Sequence, residues 1–148
     1  MKKTLYLLAA TMLLAANPAF AQETITIGFT ASQTGALNND STAQMRGIEL
    51  WRDDVNAKGG IKVGGKSYTV KLVTYDDESQ NTRVQQLYTR LITQDKAQFL
   101  ISPYSSGLVA TAAIISEQYG KVMITTGGAL EKTYKLGNKN LFQLYTGS

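Results

Sequence analysis

Two short runs concentrate hydroxyls and glycines in a spacing able to bind an anion or a small polar group. In "PYSSG" (Pro103–Gly107) a tyrosine, two hydroxyls and a glycine stand directly before an apolar, alanine-rich segment. In "TTGGA" (Thr125–Ala129) two hydroxyls and two glycines follow an apolar run. A serine at a helix start accepts a backbone N–H that the helix cannot satisfy, and Ser105 or Ser106 is placed to do this. Free N–H groups and the helix dipole also favour an anion. The Ser106 hydroxyl and the Gly107 N–H can therefore hold a carboxylate between them. "TTGGA" has two readings. It is either a turn after a strand, since glycine is the usual turn residue, or a close backbone approach that offers carbonyls to an ammonium group. Tyr104 either packs over a ligand or caps the edge of a sheet.

Other chemistries find no support. The sequence has no cysteine and no histidine, which removes most metal sites and most acid–base or nucleophile designs. No GxSxG elbow is present, and no GxGxxG follows the first apolar run. "GGIKVGG" (residues 59–65) lacks the Gly-Lys-Ser/Thr ending and following helix of a phosphate loop. "YDDES" (residues 75–79) groups three acids, and the expectation there is a solvated helix start, where the dipole favours acids. No cofactor is implied.

The elements that must position the two runs alternate regularly. Residues 1–21 carry two lysines, an apolar core and Ala19-Phe20-Ala21, the order of a cleavable secretory signal. Loss of Lys2 and Lys3 lowers the formal charge from +4 to +2, and no basic run remains to meet nucleic acid. In residues 22–148, "TITIGFT" alternates as a strand. A helix follows over about 41–58, with Gly47, Leu50, Trp51 and Val55 on one stripe, ended by Gly59-Gly60. "GGIKVGG" reads as a connection and "YTVKLVTYDD" as a second strand. The helix after it has an apolar face of Val84, Leu87, Tyr88, Leu91 and Ile92. "AQFLI" reads as a fully buried third strand, Leu108–Tyr119 as a third helix and "KVMIT" as a fourth strand. A helical turn near 129–134 and a fifth strand, "NLFQLY", complete the order. This is an α/β fold, a mostly parallel sheet with helices on both faces. In such sheets ligands bind beyond the carboxyl ends of the strands. That edge is where residues 30–41, 102–106 and 125–129 belong. The stop after "FQLYTGS" gives the expectation of a fragment of a longer protein.

Five segments, "ITIGFTASQTG", "RGIELWRDDVNAKGGI", "VKLVTYDDESQ", "FLISPYSSG" and "VMITTGGA", occur in that order. Together they resemble the periplasmic substrate-binding proteins of branched-chain amino acid ABC transporters, the leucine/isoleucine/valine type. The likeness covers residues 22–148 and only the N-terminal part of the family pattern. It implies a type I periplasmic-binding-protein lobe, incomplete in this chain, within a two-lobed protein that closes over its ligand. It further implies a non-enzymatic receptor in the periplasm, monomeric when full length, that serves an inner-membrane ABC permease. A sensory receptor of the same fold is the alternative, and a secreted α/β hydrolase lacks a base. The family serine falls on Ser106, beside Tyr104, Ser105 and Gly107, and the backbone ligands fall on Gly127 and Ala129. Leucine-type members usually carry threonine where this chain has Ala129 and an aromatic near Asp40. These departures leave the ligand open among amino acids, small carboxylic acids and amides.

Overall fold

The computed structural model describes residues 23–129, 131–135 and 137–144; the expected signal segment lies outside them. The described elements run β1 (Glu23–Ala31), α1 (Asn38–Ala57), β2 (Ile61–Val63), β3 (Lys66–Asp76), α2 (Asn81–Thr93), β4 (Phe99–Ile101), α3 (Ser106–Gln118), β5 (Met123–Thr125), α4 (Glu131–Tyr134) and β6 (Leu141–Gln143). They form one sheet in the order β2-β3-β1-β4-β5-β6. β3, β1, β4, β5 and β6 are parallel, and β2 lies antiparallel on the outer side of β3. β1 runs beside β3 along its whole length, from Glu23 opposite Tyr68 to Ala31 opposite Asp76. The carboxyl ends of these two strands are therefore level.

The sheet divides its side chains by alternation. On one face, α2 contributes Val84, Tyr88, Leu91 and Ile92, and α3 contributes Leu108, Ala112, Ala113 and Ile115, closing over Leu100 and Met123. On the other face, α1 sets Ile48 and Met45 against Phe29, Leu72 and Ile101. The apolar face predicted for α2 is the buried one. The stripe expected for α1 is not. Leu50 and Trp51 are exposed (71% and 41%), and the helix buries Ser41 and Ile48 instead. α1 also starts earlier than expected, at Asn38.

Two further expectations are corrected. "GGIKVGG" contains strand β2, joined to β3 by Gly64 and Gly65 at φ of 58° and 80°. Two consecutive left-handed residues make the tight turn whose twist suits a hairpin. Strand β4 is not fully buried: Phe99 is 42% exposed. It lines an open apolar groove of about 690 Å³ with Ile25, Ile48, Trp51, Val63 and Ile124. The misplaced α1 stripe has the same cause, because Trp51 faces this groove and not the closed core. No helix of the described residues is long and apolar enough to cross a membrane.

Candidate functional site

The carboxyl ends of β1, β3, β4 and β5 share one edge of the sheet, which follows from their parallel pairing. The two hydroxyl- and glycine-rich runs leave β4 and β5 there and meet. The Ser105 N–H donates to the Gly127 carbonyl (3.2 Å), and the Thr126 N–H donates to the Ser102 hydroxyl (3.4 Å). Of the two serines considered for the cap of α3, the structure selects Ser105, whose hydroxyl accepts from the Leu108 N–H. Ser105 sits at φ 80°, ψ 143°, a conformation that a side chain makes costly and that persists where the surroundings enforce it. Ser106 is then the first residue of α3, with Gly107 exposed beside it at the helix N-terminus.

"TTGGA" is a packed segment. A Cβ on Gly127 would lie 2.7 Å from Gln44 Oε1 and 3.0 Å from the Tyr104 ring. One on Gly128 would lie 2.7 Å from the Val109 side chain. Glycine here permits close approach between α1, the PYSSG loop and α3. The Tyr134 hydroxyl donates to the Gly128 carbonyl and pairs with the Thr125 hydroxyl. Its single proton goes to the carbonyl, so Thr125 is the donor in the second bond. Tyr104, Ser105, Ser106, Gly107, Gly127 and Ala129 thus belong to two loops in direct contact, with Tyr104 packed against Gly127.

A second construction on the same edge was not foreseen. "YDDES" does not start a helix, since α2 begins at Asn81. Asp76 ends β3 and Asp77 is wholly buried. Asp77 accepts from the Thr30 hydroxyl (2.7 Å), the Ser32 hydroxyl (2.5 Å) and the Ser79 N–H (3.0 Å). Asp76 accepts from the N–H groups of Gln33, Thr34 and Glu78 and from the Thr34 hydroxyl. Burial works against the charged form of Asp76, but these donors outweigh it and hold the carboxyl below its ordinary value. The two acids bind the loop after β1 to the turn after β3. That turn holds Glu78 and Ser79 at φ of 54° and 60°. Gly35 packs against it so closely that a Cβ would meet the Glu78 carbonyl at 2.6 Å. Beneath it, Tyr88 is fully buried and donates to the Ile101 carbonyl (2.6 Å), and burial pushes its phenol far up.

Gln44 was also missed. From α1 its amide nitrogen donates to the Ser102 carbonyl (3.2 Å) and the Thr126 hydroxyl (2.5 Å), joining the ends of β4 and β5. A glutamine three residues after buried Ser41 and four before buried Ile48 lies on the core-facing stripe of α1. A polar residue on that stripe is the signal the sequence carries, and the apolar spacing of Leu50 and Trp51 on a neighbouring stripe masks it.

Residues 24–148 match the Periplasmic binding protein family. The chain belongs to this family. It is 28% identical over 120 residues to an amino acid binding protein of Pseudomonas aeruginosa, covering 81% of this chain and 31% of that one. The branched-chain amino acid transporter substrate binding protein LivJ of Streptococcus pneumoniae, solved with isoleucine, superposes with a TM-score of 0.77 at 30% identity, over 84% of this chain and 34% of that one. A solute binding protein of an ABC transporter from Rhodopseudomonas palustris, solved with 3,4-dihydroxybenzoic acid, has the same fold (TM-score 0.71, 17% identity, 84% and 32% coverage). The chain spans about a third of the length of these relatives. The fold expectation, a partial type I periplasmic-binding-protein lobe, is borne out.

Proposed function

We propose that residues 22–148 form the first part of the N-terminal lobe of a periplasmic solute receptor, exported by residues 1–21 and delivering its ligand to an inner-membrane ABC permease. The ligand is a small molecule bearing a carboxylate, either an amino acid or a related small acid or amide. The observation that carries this reading is the contact between the PYSSG and TTGGA loops at the N-terminus of α3, sealed by the bond from Ser105 to Gly127. Neither loop contains a charged residue. Recognition there falls to hydroxyls, N–H groups and carbonyls. Hydroxyls and N–H groups at a helix start suit a carboxylate, and carbonyls suit an ammonium group.

Ser106 and Gly107 are assigned to the carboxylate. The backbone at Gly127 and Ala129 is assigned to the ammonium group or its equivalent, with Tyr104 and Ser105 shaping the wall. Ser105 serves as the helix cap and Ser106 opens α3, where its hydroxyl and the following N–H groups share the helix N-terminus. The relatives solved with isoleucine and with a dihydroxybenzoate support a carboxylate as the common element. Nothing in the two loops acts as a base or nucleophile pair, in keeping with capture without chemistry. The test is a thermal-shift screen of amino acids and small aromatic and aliphatic acids on the full-length protein, repeated with Ser106→Ala. The expected outcome is stabilisation by a carboxylate-bearing solute and an affinity loss of ~1–3 kcal/mol in the variant, the cost of leaving a charged group short of a partner. Unchanged affinity removes Ser106 from the site.

A further inference from the structure

We propose that Gln44 is a positioning residue for the binding site, setting the spacing of the two ligand loops from the far side of the sheet edge; this rests on the site assigned above. Its amide spans three elements. The Ser102 carbonyl can only accept, so the amide nitrogen must face it, and the second hydrogen goes to the Thr126 hydroxyl. This fixes the orientation of the amide and turns Oε1 toward Gly127, where a Cβ would approach it to 2.7 Å. Oε1 is buried and has no hydrogen-bond partner. Buried polar atoms without partners are exceptional. The amide is therefore a poor choice if stability is the requirement, and its two donated bonds are what it supplies.

Those bonds lie where the sheet ladder ends. Ser102 N–H still pairs with Ile124 as part of the β4–β5 ladder. Beyond that point the strands diverge into PYSSG and TTGGA. Gln44 ties Ser102, the residue after β4 and before PYSSG, to Thr126, the residue after β5, just before the Ser105–Gly127 bond. Loss of the tie lets the loops separate and takes Ser106 away from the backbone of Gly127 and Ala129. Gln44 lines the open apolar groove beside these loops, and in the proposal it acts on the ligand through these residues.

The test uses Gln44→Glu and Gln44→Leu in the full-length protein. An ionised glutamate cannot donate to the Ser102 carbonyl, whereas a protonated one can. Asp40 and Arg46 on the neighbouring turns of α1 are exposed, and Tyr104 is the titratable side chain beside Gln44, so wild type measured at each pH supplies the reference. Hydrogen exchange of the segments 102–108 and 125–129 is followed without ligand. The expected result is exchange of the Ser105 amide at least about tenfold faster in Gln44→Leu at every pH. In Gln44→Glu it is faster at neutral pH and returns toward wild type in mild acid, following opening free energies at these amides. Affinity for the solute that most stabilises wild type, taken from the twenty amino acids and benzoate derivatives, falls in parallel. Thr126→Val, which removes one acceptor and keeps the shape, gives a smaller change in the same direction and serves if Gln44→Leu does not fold. Unaltered exchange in all three variants overturns the proposal, as does altered exchange with unaltered affinity. If no solute in the panel binds wild type, the ligand reading fails, while the exchange result still decides whether Gln44 spaces the loops.

Discussion

Replacing Asp77 probes the unforeseen half of the sheet edge. The side chain is wholly buried and accepts three hydrogen bonds, from Thr30, Ser32 and Ser79. Asp77→Asn keeps the shape but has one acceptor oxygen. If that oxygen stays with Ser32 and Ser79, the new amide donates to the Thr30 hydroxyl, whose own proton then loses its acceptor. A hydrogen bond to a charged group contributes about 1.5–3 kcal/mol, and one such bond is exchanged, so Asp77→Asn destabilises by about 2 kcal/mol. Asp77→Ala leaves two buried hydroxyl donors and one part-buried N–H without an acceptor, at about 1–3 kcal/mol for each buried donor. Partial rescue by water brings the expected loss to about 3–5 kcal/mol. Thr30→Val removes one donor and leaves the carboxylate with two partners, for a loss of about 1–2 kcal/mol. Guanidinium unfolding of the full-length protein, with a shifted midpoint and unchanged slope, reports these values. Asp77→Asn within about 0.5 kcal/mol of wild type, where ordinary surface substitutions fall, refutes the argument that this carboxylate holds the loop after β1.

Because the folded-state carboxyl of Asp76 is held low, its contribution is complete above the ordinary carboxylate range and is lost as pH falls through the lowered value. Stability followed across about pH 2 to 6 therefore declines in that window, and Asp76→Asn lessens the decline. Gly127→Ala, which drives a methyl into Gln44 and Tyr104, destabilises the protein by ~1–3 kcal/mol in thermal unfolding. It also weakens ligand binding in titration calorimetry. Replacing Gly64 and Gly65 together by alanine costs ~1–2 kcal/mol for each left-handed residue, and exchange protection of the β2–β3 hairpin falls first. Trp51, the sole tryptophan, is 41% exposed on the open groove; in residues 23–148 produced alone, acrylamide quenches its fluorescence readily, and strong protection would mean the groove is closed.

The alternation of strands and helices was legible because each element carries its own period: Ile25, Ile27 and Phe29 in β1, and Val84, Tyr88, Leu91 and Ile92 in α2. The converging loops were legible too, since strand polarity places PYSSG and TTGGA on one edge. Whatever depended on which face the rest of the molecule covers was not. Leu50 and Trp51 look like core residues by type, but Leu50 is exposed and Trp51 borders a groove that the described residues leave open. Asp76 and Asp77 look like a solvated helix start by composition. Their partners Thr30, Ser32, Gln33 and Thr34 lie more than forty residues away in sequence, and only the level register of β1 and β3 brings them together. Gln44 escaped for the same reason, its partners being 58 and 82 residues distant.

The account stands on the meeting of two uncharged loops as a cradle for a carboxylate-bearing solute. Its most direct test is amide NMR of the full-length protein, titrated with the solute that most stabilises it. The largest shifts are expected at Ser106, Gly107 and residues 127–129, with a smaller response at Tyr104 and none in the Trp51 groove. Shifts concentrated in the groove, with the amides of Ser106 and Gly127 unmoved, would contradict it.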